Sequence, residues 1–279
     1  MHLAIIGGGR AAWAFGLSWL RAGWPVDGIE VRAGSTSPVP KLLGAARLPP
    51  GERILSDVVL VAVPDDALPA VCADVAGRCA DPSWLVHPSG SHDSTLFGSH
   101  VRAFSLHPLR ALSLPGEGDG LADSLLVFEG PDEARATAAR IAEQLGARMA
   151  VVARERKLAY HAAAVIAANL VAAQLDLAAR LIRDAGVDVP GLESELAGLA
   201  RSAVDNWAAR DGAARFTGPI ARGDVRLVRA HLDHLAEDAD ASTLYRAASL
   251  VLCRRLLAER PDDPALCEIE RLLSSGAVP

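Results

Sequence analysis

Short apolar runs alternate with amphipathic stretches in the first half of the chain. The runs are rich in β-branched residues, which is typical of strands that are buried on both faces. They span residues 3–6, 28–31, 58–63, 84–87, 101–106, 125–129 and 148–152. Because helical patterns separate the runs, the sequence predicts a mostly parallel sheet that is covered by helices.

The pattern changes near residue 153, and no further strand signal follows. Helical periodicity predicts helices at about 154–184, 191–209, 224–237, 241–259 and 263–274. The first of these is apolar nearly all round: between Leu158 and Leu175 its only polar side chains are Tyr160, His161, Asn169 and Gln174. Such a helix has to be buried, so we expect it to lie centrally or in a homodimer interface.

These patterns predict an α/β fold with two domains. Residues 1–153 would form an α/β domain, and residues 154–279 an all-helical domain. A polar, glycine-rich stretch at 113–120 is read as a surface loop, with a lid as the alternative.

Composition narrows the function classes. The 279 residues are 51% hydrophobic and 22% charged, which excludes a disordered chain. The formal charge of −6 argues against nucleic-acid binding. No uninterrupted apolar run reaches the length of a membrane span, and the four cysteines have no Cys-x-x-Cys spacing. We therefore expect a soluble cytoplasmic protein with reduced thiols, no metal site and no membrane partner.

The strongest local signal is a glycine-rich turn between the first strand and the first helix. Gly7 would permit the tight turn, Gly9 would let a pyrophosphate approach the backbone, and the small Ala12 would let the helix pack on the strand. Free amides at the helix N-terminus, from Arg10 onward, favour an anion. The motif therefore predicts dinucleotide binding, the alternative being a glycine turn that binds nothing.

The residues that follow the second strand bear on the choice of nicotinamide cofactor. Glu30 lies near the position from which an acid binds ribose hydroxyls, but a further strand residue follows it. Arg32, Ser35 and Thr36 come in the next loop, where an arginine accommodates a 2′-phosphate. NADP is therefore predicted in preference to NAD, with an ordinary surface arginine as the alternative for Arg32.

Other polar groups follow later strands of the predicted sheet. Val63 and Pro64 end one strand beside the expected cofactor site, and an aspartate pair that we read as a helix cap comes after them. Ser89 follows the next strand, and His107 and Arg110 follow the one after that. Ligands gather at the carboxyl edge of open α/β sheets, so Ser89 and His107 are candidate catalytic residues and Arg110 a candidate substrate anchor.

Several separated motifs resemble one family. They read Ala-Val-Pro-Asp-Asp at 62–66, His-Pro-Ser-Gly at 87–90, Ser-Leu-His-Pro-Leu at 105–109, Tyr-His-Ala-Ala-Ala at 160–164 and Phe-Thr-Gly-Pro-Ile-Ala-Arg-Gly-Asp at 216–224. The chain resembles, over nearly its whole length, bacterial Rossmann-like oxidoreductases with a helical C-terminal domain of unknown function. Those proteins are related to phosphogluconate dehydrogenase, hydroxyisobutyrate dehydrogenase and pyrroline-carboxylate reductase. The resemblance implies a Rossmann-type NADP-binding domain at 1–153, an all-helical domain for substrate binding and dimerisation at 154–279, and usually a dimer.

The same resemblance directs attention to the start of the long helix. In the wider group this helix carries Lys-x-x-x-Asn with lysine as acid or base, whereas here the corresponding residues are Lys157 and His161. At 3.6 residues per turn these two side chains share a helix face, with Asn169 further round. A histidine suits proton donation to a carbonyl or imine, and Tyr160 is a second candidate donor. A hydrogen-bonded core histidine is the alternative for His161.

Two polar features of the second half complete the candidates. Arg222 lies in a glycine-rich loop, from which its guanidinium could anchor a substrate carboxylate, while Asp224 could cap the next helix. His231 and His234 have a metal-like spacing, but no third ligand is identifiable.

The sequence thus predicts an NADP-dependent reductase of a small oxo- or imino-acid-like compound, acting in an interdomain cleft. A catalytically silent NADP-binding regulatory or scaffold protein is the alternative. An adenosylmethionine-dependent methyltransferase with Glu30 as its acid is disfavoured by the helical second half. Neither the substrate nor the direction of reaction follows from the sequence.

Overall fold

A computed structural model of the chain describes residues 1–98 and 102–275. The predicted beginning of one strand, Val101, lies outside these residues. Two compact units are present, one comprising Met1–Ala168 and the other beginning at Asn169. This division falls after residue 153, where the sequence pattern changes, because the helix that starts at Lys157 belongs to the first unit.

A single seven-stranded sheet forms the centre of the first unit. Its spatial order is β2-β1-β3-β4-β5-β6-β7, and all neighbouring strands are parallel except β5 and β6. The strands are β1 Leu3–Ile6, β2 Val26–Glu30, β3 Val58–Val61, β4 Trp84–His87, β5 Ala103–Pro108, β6 Leu125–Glu129 and β7 Arg148–Val151. The predicted mostly parallel sheet is confirmed.

Helices cover both faces of this sheet. The helices of the first unit are α1 Arg10–Arg21, α2 Val39–Leu42, α3 Leu68–Arg78, α4 Asp132–Gln144 and α5 Lys157–Ala167. Leu3 and Ile5 pack in one core cluster with residues of α1 and α4, whereas Ala4 and Ile6 pack in another with residues of α3. Because both faces are buried, the strands are apolar at consecutive positions. The arrangement is the predicted Rossmann-type fold.

The single helix that was predicted at 154–184 is divided in the structure. A 3₁₀ turn at Arg154–Arg156 leads into α5, and α6 spans Asn169–Asp184. Ala168 between them leaves helical geometry, with φ −124° and ψ −67°. The predicted central position of this stretch is wrong, since Leu158 is 69% and Ile166 62% exposed in one chain, whereas the predicted interface position stays a prediction.

The same stretch bears on the expected absence of a membrane span. Among the described residues, the segment Arg154–Asp184 is long and apolar enough to cross a membrane by length and composition, although no single run is uninterrupted. One such segment is weak evidence for a membrane, because a helix buried in an interface passes the same test.

The second unit is helical throughout its described residues. After α6 come α7 Leu192–Ala209, α8 Gly218–Ala221, α9 Val225–His234, α10 Ala239–Leu257 and α11 Pro264–Ser274. The carboxylates of Asp224 and Asp263 accept backbone N–H bonds at the starts of α9 and α11, and Pro264 occupies the first turn of α11. The predicted all-helical second half and the cap at Asp224 are confirmed.

Candidate active site

The glycine-rich turn after β1 has the geometry of a dinucleotide cradle. Gly7 has φ +123°, and a Cβ atom there would lie 2.1 Å from the carbonyl oxygen of Ala62, so only glycine fits. At Gly9, which precedes the first turn of α1, a Cβ would meet no atom within 4 Å. Ala12 is fully buried against the sheet. The free amides at the start of α1 therefore face open space that can hold an anion.

A cavity of about 900 Å³ extends from this turn along the carboxyl edge of the sheet. Its lining includes the predicted cofactor-binding residues Gly7, Gly9, Arg10, Arg32, Ser35, Val63 and Pro64. Ser37, which the sequence reading missed, also lines it and donates a hydrogen bond from Oγ to the carbonyl oxygen of Gly8 at 2.7 Å. The cavity is of the size that cofactor sites occupy, and the loop after β2 forms one of its walls.

Glu30 lines the same cavity but is paired with a cation. Its carboxylate accepts two hydrogen bonds from the guanidinium of Arg78, at 3.0 and 3.3 Å. Asp74 accepts a further bond from Arg78 Nε at 2.8 Å. Burial by itself lowers the pKa of Arg78. The hydrogen bonds and negative charges of Glu30, and then of Asp74, have the larger effect, so the pKa of Arg78 is raised.

A second group of polar side chains lies at the ends of β4 and β5. His87 is fully buried; its Nε2–H donates to the carbonyl oxygen of Asp93 at 3.0 Å, and its Nδ1 accepts the N–H of Ser89 at 3.3 Å. Burial, together with the charge of Lys157, lowers the pKa of His87 to about 4. The Ser89 hydroxyl accepts the N–H groups of Ser91 and His92, both at 3.2 Å. His87 and Ser89 therefore fix the loop after β4.

Lys157, the first residue of α5, is 1% exposed. Its Nζ donates a hydrogen bond to Oγ of Ser105 on β5. Burial lowers the pKa of Lys157 to about 8, against the opposing charges of Glu129, Asp93 and Asp65. The Lys157 ammonium is therefore held among the polar side chains at the ends of β4 and β5, away from solvent.

Tyr160 follows Lys157 by about one turn of α5 and forms a hydrogen-bonded pair with His107 of β5. Nδ1 of His107 lies 2.6 Å from the Tyr160 hydroxyl. Burial, reinforced by the charge of Lys157, lowers the pKa of His107 to about 4, and burial raises the pKa of Tyr160 to about 12. The phenol is therefore the donor and the imidazole is neutral, which leaves the imidazole proton on Nε2.

His161 lies beside this pair, and Gly90 makes room for both imidazoles. The rings of His107 and His161 are 5.9 Å apart and nearly perpendicular. A Cβ at Gly90 would lie 2.4 Å from Cδ2 of His161 and 2.9 Å from Nε2 of His107. Within the described part of the chain, His161 makes no hydrogen bond, and it is only half-buried. This geometry disfavours a hydrogen-bonded core histidine.

Other predicted site residues lie elsewhere. Arg110 donates to the carbonyl oxygen of Ala122 at 3.0 Å and lines a different surface cavity, so it is not brought together with His107. Asn169 and Arg222 are exposed residues of the second unit, and their roles stay predictions. His231 is bonded to Tyr245. No cluster of three His, Cys, Asp or Glu residues suited to a metal ion occurs among residues 1–98 and 102–275.

The residues that sequence reasoning missed are Ser37, Arg78, Gly90 and Ser105. Each acts through a contact distant in sequence, such as the pairing of Glu30 with Arg78. Gly90 and Ser105 carried a visible signal, since Gly90 ends the His-Pro-Ser-Gly motif after β4 and Ser105 begins the Ser-Leu-His-Pro-Leu motif.

Comparison with known proteins supports the fold class that this geometry defines. Residues 124–251 match the model of a family described as a domain of unknown function, DUF2520. No curated protein is detectably similar to the chain in sequence. Among solved structures, the chain is similar to a Thermotoga maritima protein named without a function, at 26% identity and a TM-score of 0.72, covering 92% of this chain and 99% of the other.

Two further solved structures share the fold. A Bacteroides fragilis protein provisionally named an NADP oxidoreductase is 20% identical, with a TM-score of 0.76 over 90% of this chain and 97% of the other. An imine reductase from Myxococcus stipitatus, solved in complex with NADP+, is 17% identical, with a TM-score of 0.62 over 98% of this chain and all of the other. The chain therefore has the fold of Rossmann-type, NADP-oxidoreductase-like proteins.

Proposed function

We propose that the chain is an NADP-dependent oxidoreductase that reduces a small oxo or imino compound. The observation that carries the proposal is one sheet edge with two features: a dinucleotide-sized cavity at β1, β2 and β3, and a buried group of proton donors at β4, β5 and α5. A finer proposal places the chain in the wider group of phosphogluconate dehydrogenase, hydroxyisobutyrate dehydrogenase and pyrroline-carboxylate reductase.

The residues that line the cavity fit NADP. Gly7 keeps the turn tight, open space at Gly9 admits a pyrophosphate, and the first amides of α1 supply donors. Arg32 and Ser35 supply a cation and a hydroxyl for a 2′-phosphate. When bound in its reduced form, NADP supplies the hydride for a carbonyl or imine carbon.

The second group of residues supplies a proton to the atom that gains negative charge. Lys157 and Tyr160 are already engaged as donors, to Ser105 and His107 respectively. His161 is the titratable side chain beside them that keeps its ring nitrogens available within the described residues. We assign proton donation to His161, hydrogen bonding of the substrate oxygen or nitrogen to Nε2–H of His107, and electrostatic support to Lys157.

Binding of a substrate carboxylate would require a guanidinium group as its anchor. Arg110 lines a different cavity, so of the two predicted guanidinium anchors we propose Arg222 for this role. We further propose a cytoplasmic location, because the free cysteines suit a reducing compartment.

Two measurements on the purified full-length chain test the function. Thermal shifts with NADPH, NADH and adenosylmethionine come first, followed by NADPH oxidation against a panel of 2-oxo acids and cyclic imines. We expect NADPH to give the largest shift and at least one class of substrate to be reduced. A thermal shift with adenosylmethionine but with neither dinucleotide would contradict the proposal. Binding of NADPH with no oxidation across the panel would favour the alternative of a catalytically silent NADP-binding protein.

A further inference from the structure

The inference concerns how the cavity distinguishes NADPH from NADH, and it rests on the proposed function. Glu30 ends β2 directly beside the glycine-rich turn: it pairs with Ile6 in the sheet, and its carbonyl oxygen accepts the N–H of Gly7 at 2.8 Å. In Rossmann-type sheets an acid near this place accepts hydrogen bonds from the ribose hydroxyls of NAD. The backbone position of Glu30 therefore suits NAD.

The side chain of Glu30 is already occupied. Oε2 and Oε1 accept bonds from the two terminal nitrogens of Arg78 at 3.0 and 3.3 Å, and the side chains are only 14% and 11% exposed. Such a bidentate pair is directional, and it cannot be separated without leaving a poorly solvated charge.

Arg78 is itself anchored from three directions. Besides Glu30, it donates to Asp74 Oδ2 at 2.8 Å and to the carbonyl oxygen of Glu52 at 3.1 Å. It is the last residue of α3, so a helix end holds its backbone. A mobile surface arginine would not have these contacts, and Arg78 therefore holds Glu30 in a fixed position where Glu30 lines the cavity.

Fixing Glu30 in this way has two electrostatic consequences for a bound dinucleotide. Arg78 occupies one lone pair of each carboxylate oxygen, so the carboxylate cannot turn freely toward ribose hydroxyls. Arg78 also offsets the charge of Glu30, although it shares its guanidinium with Asp74, and this lowers the repulsion that a 2′-phosphate would meet. Arg32, Ser35 and Ser37 of the neighbouring loop line the same cavity.

We propose that Arg78 is a specificity-determining residue, which produces NADPH preference by holding the Glu30 carboxylate. Arg78 is a positioning residue in this role: it acts on the dinucleotide through Glu30 and by charge.

The test measures dissociation constants of NADPH and NADH by calorimetry for the wild-type chain, Arg78→Met, Glu30→Gln and the double variant. In Arg78→Met we expect the preference for NADPH to fall by about tenfold or more, because the released carboxylate repels the phosphate and binds the ribose. In the double variant, which has no such carboxylate, the preference should recover. Arg102→Met, which removes an arginine stacked on Trp84, is the charge-matched control.

Each outcome distinguishes this inference from the proposed function. If the wild-type chain binds neither dinucleotide, the proposed function fails and the inference fails with it. If it binds NADPH and Arg78→Met keeps the same preference, the inference alone is wrong. Should Arg78→Met fail to fold, Glu30→Gln decides: weakening of NADH binding by about threefold or more would show that Glu30 already binds the ribose, contrary to the proposal, whereas any smaller change supports it.

Discussion

At the residue scale, His161 is the side chain whose removal is most informative. If it donates the proton, His161→Ala should lower kcat by about 10²- to 10⁴-fold and leave the NADPH dissociation constant nearly unchanged, because the proton is needed only in the transition state. Stability should change little, since within the described residues no hydrogen-bond partner is left unpaired. Turnover, NADPH affinity and thermal melting of one preparation check this.

A matched control for that variant is His231→Ala in the second unit. His231 is hydrogen-bonded to Tyr245 at 2.9 Å, so its loss should destabilise the protein by about 1 kcal/mol and leave turnover per folded molecule unchanged. If His161→Ala instead lowered the melting temperature and kept normal turnover, His161 would be structural, and Lys157 or Tyr160 would become the candidate donor.

The burial of Lys157 leads to a prediction about how the unfolding free energy depends on pH. Burial lowers its pKa from 10.5 to about 8, so the folded chain binds fewer protons than the unfolded chain between these values. The penalty of burying the ammonium is fully present below pH 8 and disappears as the pH rises toward 10.5. We expect the unfolding free energy of wild type, relative to Lys157→Met, to increase by about 2 kcal/mol between pH 7 and 9.5. Urea unfolding checks this, and parallel pH profiles would contradict it.

At the scale of elements, the turn between β1 and α1 contains two glycines with separable roles. Gly7→Ala should destabilise the fold by about 1 to 3 kcal/mol, because its Cβ would overlap the carbonyl oxygen of Ala62 at a positive φ. Gly9→Val should leave the melting temperature within a few degrees, since no atom lies within 4 Å of its Cβ, yet weaken NADPH binding at least about tenfold. Equal melting losses in both variants, or undiminished NADPH affinity in Gly9→Val, would contradict this assignment.

The elements also show where sequence reasoning succeeds and where it stops. The strands and the glycine turn were predictable because their signals are local: apolar runs and glycine spacing. The pairing of Glu30 with Arg78 was not, since 48 residues separate them and no periodicity links the end of β2 to the end of α3. Gly90 likewise has a meaning only once β5 and α5 bring two imidazoles beside it. The break at Ala168 lies in an uninterrupted helical pattern, so no local sequence signal predicts it.

At the scale of the whole molecule, we expect another surface to cover the exposed apolar segment Arg154–Asp184. Only 6% of its most apolar window is buried within the chain, and Leu158, Ile166 and Leu170 are 69%, 62% and 46% exposed. Contiguous apolar surface of this kind marks an interface on a water-soluble protein. We propose that a second copy of the chain covers it, because between Leu158 and Leu175 the segment carries no charged side chain for a polar partner to match.

The corresponding prediction is a homodimer at micromolar concentration in detergent-free buffer. Light scattering should give twice the mass of 29.1 kDa for wild type. Ile166→Glu should shift the mass toward the monomer, because a dimer would bury the new carboxylate twice, once from each copy. Leu55→Glu is the matched control, since Leu55 is 75% exposed in the loop between α2 and β3, and this variant should remain dimeric. A monomeric wild type would contradict the dimer, and partition of wild type into vesicles would assign the segment to a membrane instead.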